Sequence, residues 1–65
     1  MSEPVEFEGC SCEVESTSAI LVEIPEHGEL WIPKSQVHDD SEVYKKGTEG
    51  KLVITAWLAT QKGLV

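Results

Sequence analysis

Between Val5 and Val14 the hydrophobic alternation changes parity once, and the change falls on a glycine. Val5 and Phe7 occupy odd positions, Cys10, Cys12 and Val14 even ones, and Gly9 lies between the two sets. Strand side chains alternate with a period of two, so an unbroken strand would place these sets on opposite faces. One extra residue at Gly9 restores a common face, and glycine tolerates the positive φ that such a bulge requires. The pattern therefore predicts a long bulged strand with the apolar set inward and Glu6, Glu8, Glu13 and Glu15 together on the outward face.

The rest of the chain reads as short strands and tight turns. After the polar turn Glu15-Ser16-Thr17-Ser18, residues Ala19 to Ile24 are apolar on both parities, as in a central strand. Pro25-Glu26-His27-Gly28 has turn chemistry and leads into Glu29-Leu30-Trp31-Ile32, completing a hairpin that Pro33 ends. Lys34 to Val37 is long enough for one helical turn. His38 to Gly50 is a loop pinned by Val43 and Tyr44. Lys51 to Thr55 is a further strand, and Thr55 caps a helix running to about Lys62, with Gly63 past its end. The expected fold is mainly β, one domain over residues 1–65: a small SH3-like or OB-like barrel of four to five strands with a short C-terminal helix. The strand count favours the SH3-like form. The expected core is Phe7, Cys12, Val14, Ile20, Val22, Ile24, Leu30, Ile32, Val37, Leu52, Ile54 and Trp57, with Trp57 and Leu58 closing one end.

A chain of 65 residues buries only about 60% of the surface its unfolded form exposes, so self-association or partner binding is a natural supplement to its stability. The net charge of −7 is unevenly spread. Residues 1–33 hold eight glutamates and no lysine or arginine, whereas all five lysines (Lys34, Lys45, Lys46, Lys51, Lys62) follow. Arginine is absent, which removes the side chain best suited to bidentate phosphate and base contacts and argues against a duplex-DNA binder. The acidic half suits a basic protein surface, or the lysine-bearing half of another copy in a homo-oligomer. No apolar run approaches a membrane span, and Met1 to Pro4 lack the basic and apolar regions of a signal peptide, so the expected location is cytoplasmic.

Little in the sequence supports chemistry. Cys10-x-Cys12 with His27 and His38 contains zinc-ligating residue types, but structural sites use wider cysteine spacing and paired histidines. The thiols are expected to be reduced, as small core or half-buried residues, and no metal or cofactor is expected. His38-Asp39-Asp40 mimics a base with an orienting carboxylate, which a solvated loop explains more simply. With no glycine-flanked nucleophile and no phosphate loop, an enzyme is not expected. The sharpest clue is Trp31, which falls on the parity opposite Leu30 and Ile32. An outward tryptophan near Tyr44 is an interface anchor or a stacking platform for a base, with Lys34 among the lysines placed to meet a phosphate.

The segment Leu30-Trp31-Ile32-Pro33-Lys34-Ser35-Gln36-Val37, the acidic loop, the Gly47 to Gly50 turn and the closing Trp57-Leu58-Ala59 with Lys62-Gly63-Leu64 resemble small β-barrel domains encoded by bacteriophages and prophages. The likeness runs from about Val14 onward and carries no functional residues across. It implies a host-directed or replication-accessory role, such as binding and blocking a host defence protein. Two functions follow as expectations. One is an interaction protein using the acidic strand face (Glu6, Glu8, Glu13, Glu15) or the Trp31 surface. The other is a nucleotide or single-strand binding module stacking a base on Trp31 or Tyr44.

Overall fold

The computed structural model describes residues 3–65; Met1 and Ser2, which begin the segment read for a signal peptide, lie outside them. The parity change at Gly9 is a bulge, as its sequence predicts. Strand β1 (Val5–Glu15) pairs antiparallel with β4 (Glu49–Ile54), and between Phe7 opposite Leu52 and Cys10 opposite Gly50 it carries one residue more than its partner. Gly9 takes φ 71° there. The extra residue returns Cys10 and Cys12 to the face that holds Val5 and Phe7, and both cysteines are buried.

Strands β2 (Ala19–Ile24) and β3 (Gly28–Pro33) form the expected hairpin, and the sheet order is β3-β2-β1-β4, antiparallel throughout. The fold is thus mainly β, four strands in one open sheet with a short helix. In the β2–β3 turn the His27 N–H reaches Ile24 O at 3.0 Å, and Glu26 takes φ 72° where glycine is the usual residue. A single 3-10 turn, Lys34–Gln36, then leads to Val37, which bridges Ile54 of β4. Residues 36–43 continue along the outer edge of β4. His38 N–H donates to Val53 O and Glu42 N–H to Lys51 O, both at 2.8 Å, while Thr55 N–H reaches Gln36 O at 3.0 Å. Ser41, buried in this strap, accepts the Val53 N–H on Oγ at 3.1 Å.

Helix α1 (Ala56–Gln61) begins as read: Thr55 Oγ1 accepts the Leu58 N–H at 3.2 Å. It ends in a Schellman arrangement, with Gly63 at φ 72°, Gly63 N–H on Thr60 O and Leu64 N–H on Ala59 O at 2.8 Å. Leu58, Ala59 and Leu64 face the core, joining Cys10, Cys12, Ile20, Val22, Ile24, Ile32, Val43, Leu52 and Ile54. Phe7, Leu30 and Val37 pack against this cluster partly buried.

Two expected core residues are outside. Trp57 is 62% exposed, because a six-residue helix that turns Leu58 and Ala59 inward has no room to bury their neighbour. Val14 is 42% exposed, because β1 bulges a second time. Between Cys12 opposite Val22 and Val14 opposite Leu21 it again carries one residue more than its partner, which inverts the parity of its last residues.

Candidate functional site

The second bulge decides what the sheet presents on the face away from the core. Directly opposed residues of an antiparallel pair project to the same side. Val14 opposes Leu21, and Leu21 opposes Trp31, so the three make one apolar row across β1, β2 and β3. Trp31 is 45% exposed at its end. The neighbouring row is polar: Glu49 opposes Ser11, Ser11 opposes Glu23, and Glu23 opposes Glu29. Its three glutamates are all exposed. Glu23 and Glu29 are like charges directly across a ladder, an arrangement that destabilises a sheet.

The predicted acidic face is split. Glu6, opposite Val53, and Glu13, in the second bulge, lie on the outward side, and Ser11 Oγ donates to Glu13 Oε1 at 3.2 Å. Glu8 is exposed next to the Gly9 bulge. Glu15 opposes Ile20 and so shares the parity of the core, a correction to the expectation that all four glutamates share one face. At that rim Lys34 Nζ donates to Glu15 Oε2 at 2.6 Å, and the Lys46 N–H reaches Oε1 at 3.4 Å. The Lys34 hydrogen bond, then that of Lys46, holds the Glu15 carboxyl below the usual glutamate range.

Lys34 and Tyr44, expected to share one site with Trp31, meet instead in a cleft of about 300 Å³ with Val37, His38, Asp39 and Ser41. Tyr44 is 52% exposed, with Lys45 Nζ 5.6 Å from its ring centre. Trp31 does not line this cleft, so the sheet face and the cleft are separate sites. His38 Nδ1 accepts the Asp40 N–H at 3.1 Å, which places any proton of the neutral ring on Nε2. The Asp40 carboxylate, 3.6 Å from Nδ1, pairs with it only when the ring is charged.

Burial pushes the Cys10 and Cys12 thiols above their ordinary range, with Glu8 and Glu15 respectively adding to it. Both thiols are buried in the core cluster, and a raised pKa leaves less of the reactive thiolate at neutral pH. Among the described residues no group of three or more His, Cys, Asp or Glu is placed to hold a metal ion, and no helix is long and apolar enough to cross a membrane.

Alternation along β3 places Trp31 outward with Glu29 and Pro33, but it does not reveal the partners Val14 and Leu21 or mark Glu23 and Glu49. The parity of Glu23 and Glu29 within their strands was a usable signal; the bulge at Glu13 and Val14 left none. No protein-family model, curated protein or solved structure matches the chain.

Proposed function

We propose that this chain is a non-enzymatic binding module whose outward sheet face docks a protein partner through Trp31, Leu21 and Val14, with Glu23, Glu29 and Glu49 meeting basic side chains beside them. The observation that carries the reading is the pairing of a partly exposed apolar row with an acidic row on one sheet face. Tryptophan anchors ringed by polar contacts are typical binding hot spots, and the opposed Glu23 and Glu29 are relieved by a cation. The resemblance to phage-encoded domains supports a host defence protein as the partner and the host cytoplasm as the place. An SH3-like barrel, closed over β4 by the strap and open along the outer edge of β3, belongs to the same proposal. It is supported by the three-residue 3-10 connection that carries the chain from the end of β3 to the edge of β4.

The test is affinity capture from host lysate with the wild-type chain, then binding measurements on the partner so identified. Trp31→Ala is expected to weaken binding at least tenfold. Glu23→Lys is expected to weaken it too, while raising thermal stability because it removes the like-charge pair. A partner held equally by both variants would refute the proposed face.

A second reading rests on the Lys34–Tyr44 cleft, which is of a size to take a nucleotide. The Glu15 partner of Lys34 and the carboxylate of Asp39 on the lining oppose an anion there. Calorimetric titration with a panel of mono-, di- and cyclic nucleotides tests it, and a Kd in the micromolar range abolished by Tyr44→Ala would establish it.

A further inference from the structure

The two edges of the sheet differ. Along β4 the strap of residues 36–43 satisfies the outward backbone groups of Lys51 and Val53. Along β3 nothing among the described residues does. Lys34 N–H bonds Ser18 O at 2.8 Å, and that bond sets the alternation of the whole β2–β3 ladder. Counting back through the unbroken register, Ile32, Leu30 and Gly28 turn their backbone groups toward β2. Glu29 and Trp31 therefore direct N–H and C=O away from the sheet, and Pro33 directs its C=O. No backbone or side-chain hydrogen bond reaches those groups from elsewhere in the described chain.

We propose that the β3 edge takes an extended segment of the partner as a fifth strand, and that this segment carries an apolar side chain opposite Trp31 and a lysine or arginine opposite Glu29, two residues apart. The inference rests on the binding reading and deepens it by naming the mode and the partner chemistry. Strand addition supplies main-chain bonds for affinity and alternate side chains for specificity. Each row of the outward face states what its next member must be. The row Val14–Leu21–Trp31 continues with an apolar residue. The row Glu49–Ser11–Glu23–Glu29 continues with a cation, because a further carboxylate would oppose Glu29 directly. That condition sets a basic segment ahead of a second copy of this chain, whose charge is −7 and whose own β3 carries Glu29. Pro33 lacks a donor and limits the added pairing to the stretch around Glu29 and Trp31.

The test uses the full chain, ¹⁵N-labelled, with the synthetic peptide acetyl-Lys-Thr-Val-Thr-Lys-Thr-Lys-amide and its twin bearing glutamate in place of each lysine. With the lysine peptide near saturation, amide exchange at Glu29 and Trp31 is expected to slow at least fivefold, with no change at Leu30 beyond twofold. The glutamate twin is expected to leave all three unchanged. Glu29→Pro removes the outward donor and Glu29→Gln only the charge, so the proline variant is expected to lose at least threefold more affinity than the glutamine variant. The exchange measurement on the wild-type chain stands even if Glu29→Pro folds poorly.

Three results would overturn the proposal: no binding of the lysine peptide; binding that shifts the Trp31 indole without slowing the Glu29 and Trp31 amides; or protection at those amides that grows with protein concentration alone, which assigns the edge to a second copy. In the second case the face still docks a partner and only the strand addition fails. Loss of the Trp31→Ala effect on the captured partner would instead remove the binding reading itself.

Discussion

Ser41→Ala is the perturbation that most directly tests how the β4 edge is closed. Ser41 Oγ accepts the N–H groups of Val53 at 3.1 Å and Val43 at 3.2 Å and donates to Val43 O at 2.7 Å. Val43 N–H has a second acceptor in Lys51 O at 3.3 Å, but Val53 N–H has none, and Val53 is buried. Alanine leaves that donor without a partner and without water. An orphaned buried donor costs about 1–3 kcal/mol, so a loss of about 2 kcal/mol is expected. A domain of this size holds only about 3–10 kcal/mol in all. At about 4–8 °C per kcal/mol, Tm should fall by about 8–16 °C. Urea unfolding with an unchanged m-value measures the loss, and amide exchange at Val53 locates it. Ser11→Ala, whose hydroxyl meets only the exposed Glu13, serves as the control and should stay within about 0.5 kcal/mol. A Ser41→Ala chain as stable as that control, with Val53 as protected as before, would refute the reasoning.

Gly9→Ala forces a β-carbon into φ 71° and should cost about 1–2 kcal/mol in urea unfolding, since the nearest contact, Pro25 Cγ at 3.5 Å, leaves strain as the main term. Glu26→Gly should do the reverse: Glu26 stands exposed at φ 72°, and relief of that strain outweighs the added chain entropy by about 0.5 kcal/mol, read as a small rise in Tm. The Glu15–Lys34 pair predicts a pH effect. The folded-state pKa of Glu15 is depressed, so its contribution is complete above the unfolded value of about 4.3 and is lost as pH falls through the lower folded value. Wild type and Glu15→Gln should therefore differ in stability at pH 6 and converge as acid protonates Glu15 in the folded chain, a difference that 1 M salt should shrink; equal stability at pH 6 in low salt would remove the pair from the account.

What was legible in the sequence was whatever left a mark on side-chain parity or turn chemistry. The Gly9 bulge flips the apolar set and so announces itself. Thr55 and Gly63 bracket α1 by capping chemistry, and Leu30, Trp31 and Ile32 sort inward and outward by alternation. The bulge at Glu13 and Val14 is different. Cys12-Glu13-Val14-Glu15 alternates without a fault and contains no glycine, so period-two reasoning continues it straight and buries Val14. Only the pairing with β2 past the Ser16–Ser18 turn displaces it. The strap over β4 was hidden for another reason. Its bonds run mostly from backbone groups, which have no side-chain signature; Val43 pins it as expected, whereas Tyr44 is exposed and Ser41 reads as loop although it is buried. Trp57 was misplaced because hydrophobicity alone does not say which side of so short a helix meets the sheet.

The displacement at Glu13 and Val14 links the stability of the fold to the proposed binding face. A chain selected for stability alone would turn Val14 inward. Leaving it 42% exposed forgoes part of the roughly 1.5–3 kcal/mol that full burial of a valine provides. The same one-residue shift turns Glu15 to the core-side rim, where it meets Lys34 and ties the end of β1 to the turn after β3. Two departures from local consistency thus stand on one face: an apolar row left in water, and Glu23 opposed to Glu29. Such departures concentrate where function requires them. Both are relieved by the same occupant, a segment that covers Trp31, Leu21 and Val14 with apolar surface and brings a cation to the glutamates. An apolar partner alone would bury the carboxylates unpaired, and a basic one alone would leave the tryptophan wet. On the proposed reading, the requirement for both, in adjacent rows, is the source of the face's selectivity.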